Sequence, residues 1–101
     1  MKLQNGHIII PAAIFESILQ EEEQIRYVYY PDRKHYLFAA KSKTYFEKLH
    51  ETKWTTLKNK NPQGDKSLYV REVLIDFDLD ETDRELVHEI KNSGIILIHF
   101  T

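Results

Sequence analysis

The chain has 101 residues, 42% apolar and 30% charged, with a formal net charge of −2. Those figures fit one globular domain and exclude wholesale disorder, and no apolar run approaches the roughly 20 residues of a membrane-spanning helix. Cysteine is absent, which removes disulfides, thiolate-bound zinc and thiol catalysis. Met1 to Gly6 has no apolar signal core, so a cytoplasmic protein without membrane contact is expected. The charge is unevenly spread. Residues 33–66 carry nine Lys/Arg against three Asp/Glu, whereas residues 67–101 carry three against eight. Such a split suits an anion-binding face, or two regions of opposite sign that attract each other within or between chains.

In chain order, residues 6–10 read as a short buried strand ended by Pro11, which suits the first position of a helix over 12–20. Residues 24–30, rich in β-branched and aromatic side chains, read as a strand. A turn at Pro31-Asp32-Arg33-Lys34-His35 then returns the chain as a partner strand over 36–40. Residues 42–53 read as a helix, with Thr44 and Glu47 at capping-box spacing and Phe46, Leu49 and Trp54 on its apolar side. The Asn-, Pro- and Gly-containing stretch 58–66 reads as a loop. Near-strict alternation over 68–78 predicts a strand, and Thr82-Asp83-Arg84-Glu85 a capped helix through Leu86, Val87 and Ile90. Lys91, Asn92 and Gly94 read as its stop, and residues 95–100 as a closing strand. The expected class is α+β, in the order β-α-β-β-α then β-α-β, with a weak repeat of shape between the halves.

Catalytic motifs are scarce. Val73 to Thr82, an apolar run ending in Asp-x-Asp-x-Thr, resembles the nucleophile loop of haloacid-dehalogenase-type phosphatases. Only 19 residues follow Thr82, so that family's later lysine and metal-binding acids have no place to come from. Asp76, Asp78, Asp80, Glu81 and Asp83 lack the glycine that a calcium loop needs at its sharp turn, and Asp80 and Glu81 read instead as charges favoured before the expected helix. The five histidines show no metal-ligand spacing, and the three glycines form no phosphate loop. No enzyme activity, metal or cofactor is expected. Tyr29, Tyr30, Tyr36 and Phe38 interleave with Arg33, Lys34, Lys41 and Lys43, a mixture that suits stacking and phosphate contacts as well as a half-buried sheet.

Gly6-His7-Ile8-Ile9-Ile10-Pro11-Ala12-Ala13-Ile14 resembles the Gly-Arg-(apolar)-x-(apolar)-Pro-x-x-(apolar) opening of the SpoVT/AbrB swapped-hairpin superfamily. Tyr36 to Ala40, followed by Tyr45-Phe46-Glu47-Lys48-Leu49, is similar to that superfamily's MraZ branch. The resemblance covers about residues 3–55. It implies a small β-barrel-like fold in a single domain over 1–101: an AbrB/MraZ-like unit over 1–57, a loop over 58–66 and a β-α-β unit over 67–101. It also implies a homo-oligomer, expected as a homodimer, or else a pseudo-dimer built from two β-α-β units, that binds double-stranded DNA in transcription regulation. The family's Asp-x-Lys-Gly-Arg loop falls on Leu3, Asn5, Gly6 and His7, where only the glycine matches; the missing arginine removes a bidentate contact to guanine or phosphate. The DNA-binding residues implied are Asn5, Gly6 and His7 in the loop, with Arg33, Lys34, Lys41 and Lys43 on phosphate. The alternative is a divergent, antitoxin-like module that engages a protein partner through its acidic C-terminal half.

Overall fold

The structure, a computed structural model, describes residues 1–100; Thr101, where the last expected unit ends, lies outside them. The protein is α+β, and the described residues form ten strands and three one-to-two-turn helices. The strands are β1 (Lys2–Gln4), β2 (His7–Ile10), β3 (Gln24–Tyr30), β4 (His35–Ala40), β5 (Lys53–Thr56), β6 (Lys58–Asn59), β7 (Lys66–Tyr69), β8 (Arg84–Glu85), β9 (Val87–Ile90) and β10 (Ile96–His99). The helices are α1 (Ala12–Ser17), α2 (Thr44–Leu49) and α3 (Arg71–Asp76). The strands form two five-stranded sheets, ordered β6-β7-β2-β1-β8 and β5-β3-β4-β10-β9, and every strand pairing is antiparallel. The expected barrel is therefore replaced by two stacked open sheets.

Strand alternation places the core between them. Leu3, Ile8, Ile10 and Leu68 point inward from the first sheet and Ile25, Tyr36, Phe38, Ile96 and Ile98 from the second, all essentially inaccessible to water. Phe15 of α1 and Leu74 of α3 close the ends of this core, while α2 lays Phe46 on the opposite face of the second sheet against Ala39 and Ile95. Two strands pass from one sheet to the other at single buried leucines: Leu57 separates β5 from β6, and Leu86 separates β8 from β9. At both corners the leucine N–H donates to a backbone carbonyl, Leu57 to Glu23 and Leu86 to Met1, each at 2.7 Å, so no buried amide is orphaned there.

The register reveals an internal two-fold arrangement. Ile8 faces Leu68 where β2 and β7 meet, and Leu37 faces Leu97 where β4 and β10 meet. Each meeting joins equivalent strands of two β-α-β-β units, one running β2-α1-β3-β4 and the other β7-α3-β9-β10, with β8 continued by β9. The expected shape repeat is present, but its second helix is α3 and not a helix opening at Thr82.

Four expectations are corrected. Residues 68–78 are the end of β7 followed by α3. Val70, Val73, Leu74 and Phe77 also fall at helical spacing, and burial of Val70 and Leu74 selects the helix. The expected helix from Thr82 is instead β8 (Arg84–Glu85) and β9 (Val87–Ile90). The Asp80 carboxylate accepts both the backbone N–H and the hydroxyl of Thr82, closing a turn, and β9 finds its partner in β10. The helix expected over 42–53 stops at Leu49, because His50 is extended and Lys53–Thr56 pair with β3, which leaves Trp54 52% exposed on a strand. The loop expected over 58–66 is shortened at both ends by the pairing of β6 with β7.

Candidate nucleic-acid interface

The first sheet has one face packed on the core and one face that no helix covers, since α1 and α3 join the core and α2 lies on the other sheet. Alternation turns Lys2, Gln4, His7, Ile9, Lys58, Ser67 and Tyr69 outward. Cross-strand pairing sets them in rows. One row runs Lys58, Ser67, Ile9, Lys2, Glu85 across all five strands, and the next runs Tyr69, His7, Gln4. Gln4, Asn5, His7, Ile9, Lys60 and Ser67 surround a shallow depression of about 170 Å³. The row carries a charge gradient, from Lys58 and the neighbouring Lys60 through Lys2 to Glu85 on the last strand.

Asn5 and Gly6 form the two-residue turn between β1 and β2. Both have positive φ, 53° and 77°, as a turn matched to the strand twist requires. The turn is held from outside. The Arg71 guanidinium donates to the Asn5 carbonyl at 2.9 Å, and the Asn5 N–H donates to the Asp83 carboxylate at 2.8 Å. Arg71 also lies 3.7 Å from Glu81. A Cβ on Gly6 would sit 2.5 Å from Arg71 Nε and 3.0 Å from Arg71 Cβ, so the close approach of α3 demands glycine as much as the dihedral does. His7 Nδ1 lies 2.9 Å from the Asn5 carbonyl, which can only accept, so Nδ1 carries a hydrogen. The His7 ring is 5.3 Å from that of Tyr69, half of which is exposed.

At the other end of the sheet, Asp65 ties the β6–β7 loop to α1. Its carboxylate accepts the Ala12 N–H and the Asn61 side-chain amide, both at 2.9 Å. The Asn61 bond, with the Ala12 bond behind it, holds the Asp65 carboxyl below its ordinary value. Lys60 N–H donates to the Asp65 carbonyl, which fixes the loop from which Lys60 projects.

The seven residues expected to contact DNA fall in three places. Asn5, Gly6 and His7 share the exposed face. Arg33 and Lys34 sit in the β3–β4 turn of the second sheet, where the Lys34 carbonyl accepts the Phe100 N–H. Lys41 and Lys43 lie beyond the far end of β4, about 17 Å from that turn at the usual rise per strand residue. Lys41 Nζ stands 4.1 Å above the Trp54 ring. The cations that do join Asn5 and His7 are Lys2, Lys58 and Lys60, none of them among the residues the resemblance implies. The Asn5-Gly6 pair between alternating segments was the available signal for β1, and with it for Lys2 and Gln4 on this face.

The acidic stretch has internal uses. Asp80 closes its turn, Asp83 holds Asn5, and Glu81 stands by Arg71. Among the described residues, no group of three His, Cys, Asp or Glu side chains is placed to hold a metal ion, and no helix is long and apolar enough to cross a membrane. Comparison with protein-family models, curated proteins and solved structures finds no match to this chain.

Proposed function

We propose that this protein is a divergent, non-enzymatic relative of the AbrB/MraZ swapped-hairpin proteins, and that it binds double-stranded DNA through the uncovered face of the β6-β7-β2-β1-β8 sheet. The observation that carries the reading is the outward row that sets Lys58 and Lys2 beside Ser67, with Gln4, Asn5, His7 and Lys60 around one depression. The two β-α-β-β units meeting about a two-fold support the kinship. The lysines neutralise phosphates, while the amides, the hydroxyl and the His7 ring present hydrogen-bonding groups to base edges. Glu85 and Asp83 repel phosphate at the β8 side, so the duplex sits toward β6.

Anisotropy of a labelled random duplex tests this. With three phosphates neutralised, affinity should fall about fortyfold between 50 and 200 mM salt. Lys58→Glu with Lys60→Glu should abolish most of the binding, and Arg33→Glu with Lys34→Glu should leave it unchanged. Flat anisotropy at both salts refutes the reading; sensitivity to Lys41→Glu with Lys43→Glu alone moves the contact to the second sheet.

The second reading, a protein-interaction module, is favoured by the β9 edge. Val87 is 69% exposed and Ile90 41%, with Glu89 between them on a strand paired along one side only. A basic segment adding as a further strand would suit it. A mass increase on mixing with such a partner, without DNA affinity, would select this reading.

A further inference from the structure

A second concavity, of about 520 Å³, opens between α3 and the strands β3 and β5, on different residues from the DNA-facing depression. Its size is that of a small-molecule site. Tyr27, Tyr29, Tyr69 and Phe77 supply aromatic walls, with Tyr29 and Phe77 ring centres 4.7 Å apart. Glu51, Glu72 and Asp76 supply three carboxylates against a single cation, Lys53. Among the described residues, none of the three carboxylates enters an ion pair. Glu72 and Asp76 stand one turn apart on α3, a like-charge spacing that disfavours the helix unless a cation lies between them.

A separate observation comes from Tyr29. Its hydroxyl has almost no surface exposed to solvent and no hydrogen-bond partner among the described residues. Burial raises the Tyr29 phenol above its ordinary value. Burial, and then the nearby Glu72 charge, does the same for Tyr27, so both phenols stay neutral and keep their hydrogens.

We propose that this cleft binds an aliphatic organic cation, an alkyl ammonium or guanidinium, with its charge between Glu72 and Asp76 and its carbon chain against the Tyr27, Tyr29, Tyr69 and Phe77 rings. Aromatic faces attract such cations, and two carboxylates a turn apart accept their N–H groups in charge-assisted bonds. A hard metal ion is a poorer match, since it asks for six or more oxygens close together and the walls here are mainly aromatic. An anion meets a net negative lining.

The inference does not rest on the nucleic-acid reading. It is tested by amide chemical shifts of the full chain titrated with agmatine, and in parallel with a capped Gly-Arg-Gly peptide. Saturable shifts centred on Tyr69, Val70, Glu72, Val73 and Phe77 are expected. Affinity should weaken about tenfold or more in Glu72→Gln with Asp76→Asn, a change that relieves the like-charge pair and so leaves the fold intact by circular dichroism. Agmatine binding without the peptide identifies a free small-molecule cation as the ligand; the reverse identifies an arginine side chain of a partner protein. Non-saturating shifts spread over Asp78, Glu81 and Glu85, or an affinity unchanged in the double variant, would overturn the proposal.

Discussion

Replacing Gly6 with alanine tests how the β1–β2 turn is held. The left-handed dihedral alone costs an L-residue about 1–2 kcal/mol. The new methyl group would also overlap Arg71, whose Nε can swing away but whose Cβ, 3.0 Å from the added carbon, cannot follow without moving α3. Displacing the guanidinium forfeits its bond to the Asn5 carbonyl, about 0.5–1.5 kcal/mol for an ordinary hydrogen bond. Gly6→Ala should therefore destabilise by about 2–3 kcal/mol in urea unfolding, with the melting temperature down by roughly 10–15 °C for a chain of this length. A double-mutant cycle separates the parts. In an Arg71→Ala background the overlap with the guanidinium and its bond are already gone while the Cβ contact remains, so Gly6→Ala should cost the dihedral term and that contact alone. The coupling expected is about 1 kcal/mol. A Gly6→Ala cost below about 0.5 kcal/mol, or strict additivity with Arg71→Ala, would refute this account of the turn.

Two further predictions concern stability. Leu57→Ala empties a buried corner between the sheets, and should cost about 2–5 kcal/mol in chemical denaturation; a loss no larger than that of an exposed leucine such as Leu49 would show that the corner is not packed. Acidification from pH 7.5 to 5.5 should lower the urea midpoint. Burial, then the neighbouring His99 and Arg33, depress His35 below the usual histidine value, and burial followed by the N-terminal amine does the same for His88. The unfolded chain takes up these protons first, so the stability they provide is present above the ordinary histidine pKa and lost as pH falls through the depressed folded values. His35→Gln with His88→Gln should flatten the profile, and a midpoint that rises on acidification would contradict the assignment.

The sequence disclosed the first unit well and the second poorly, for a physical reason. β2, β3 and β4 carry runs such as Ile8-Ile9-Ile10 and Tyr27-Val28-Tyr29-Tyr30, whose branched and aromatic side chains match the strands they form. From Leu68 to Ile90 the local signals conflict with the outcome. The alternation of 68–78 coexists with a helical spacing of Val70, Val73, Leu74 and Phe77, and only contact with the far side of the core selects between them. Thr82 to Glu85 has the spacing of a helix cap, but Asp80 uses Thr82 to close a turn and β10 recruits Val87–Ile90 into a sheet. Of the candidate interface, Asn5, Gly6 and His7 were named through the resemblance of the Gly6–Ile14 stretch to a family's opening, without the β1–β2 hairpin that carries them. Lys58 and Lys60 were hidden in a stretch that reads as loop, because pairing of β6 with β7 is a long-range decision and not a local propensity.

The meeting of Ile8 with Leu68 and of Leu37 with Leu97 has a consequence for recognition. Two identical chains joined about such an axis would present the same surface from either direction and would separate on dilution. Here both halves are on one polypeptide, so their association is independent of concentration and their surfaces are free to diverge. They have diverged: Lys58, Lys60 and Ser67 flank the axis on one side, His7 and Gln4 on the other. A duplex lying on this face would be held in one polarity, and the sites favoured would be asymmetric in sequence, not palindromic.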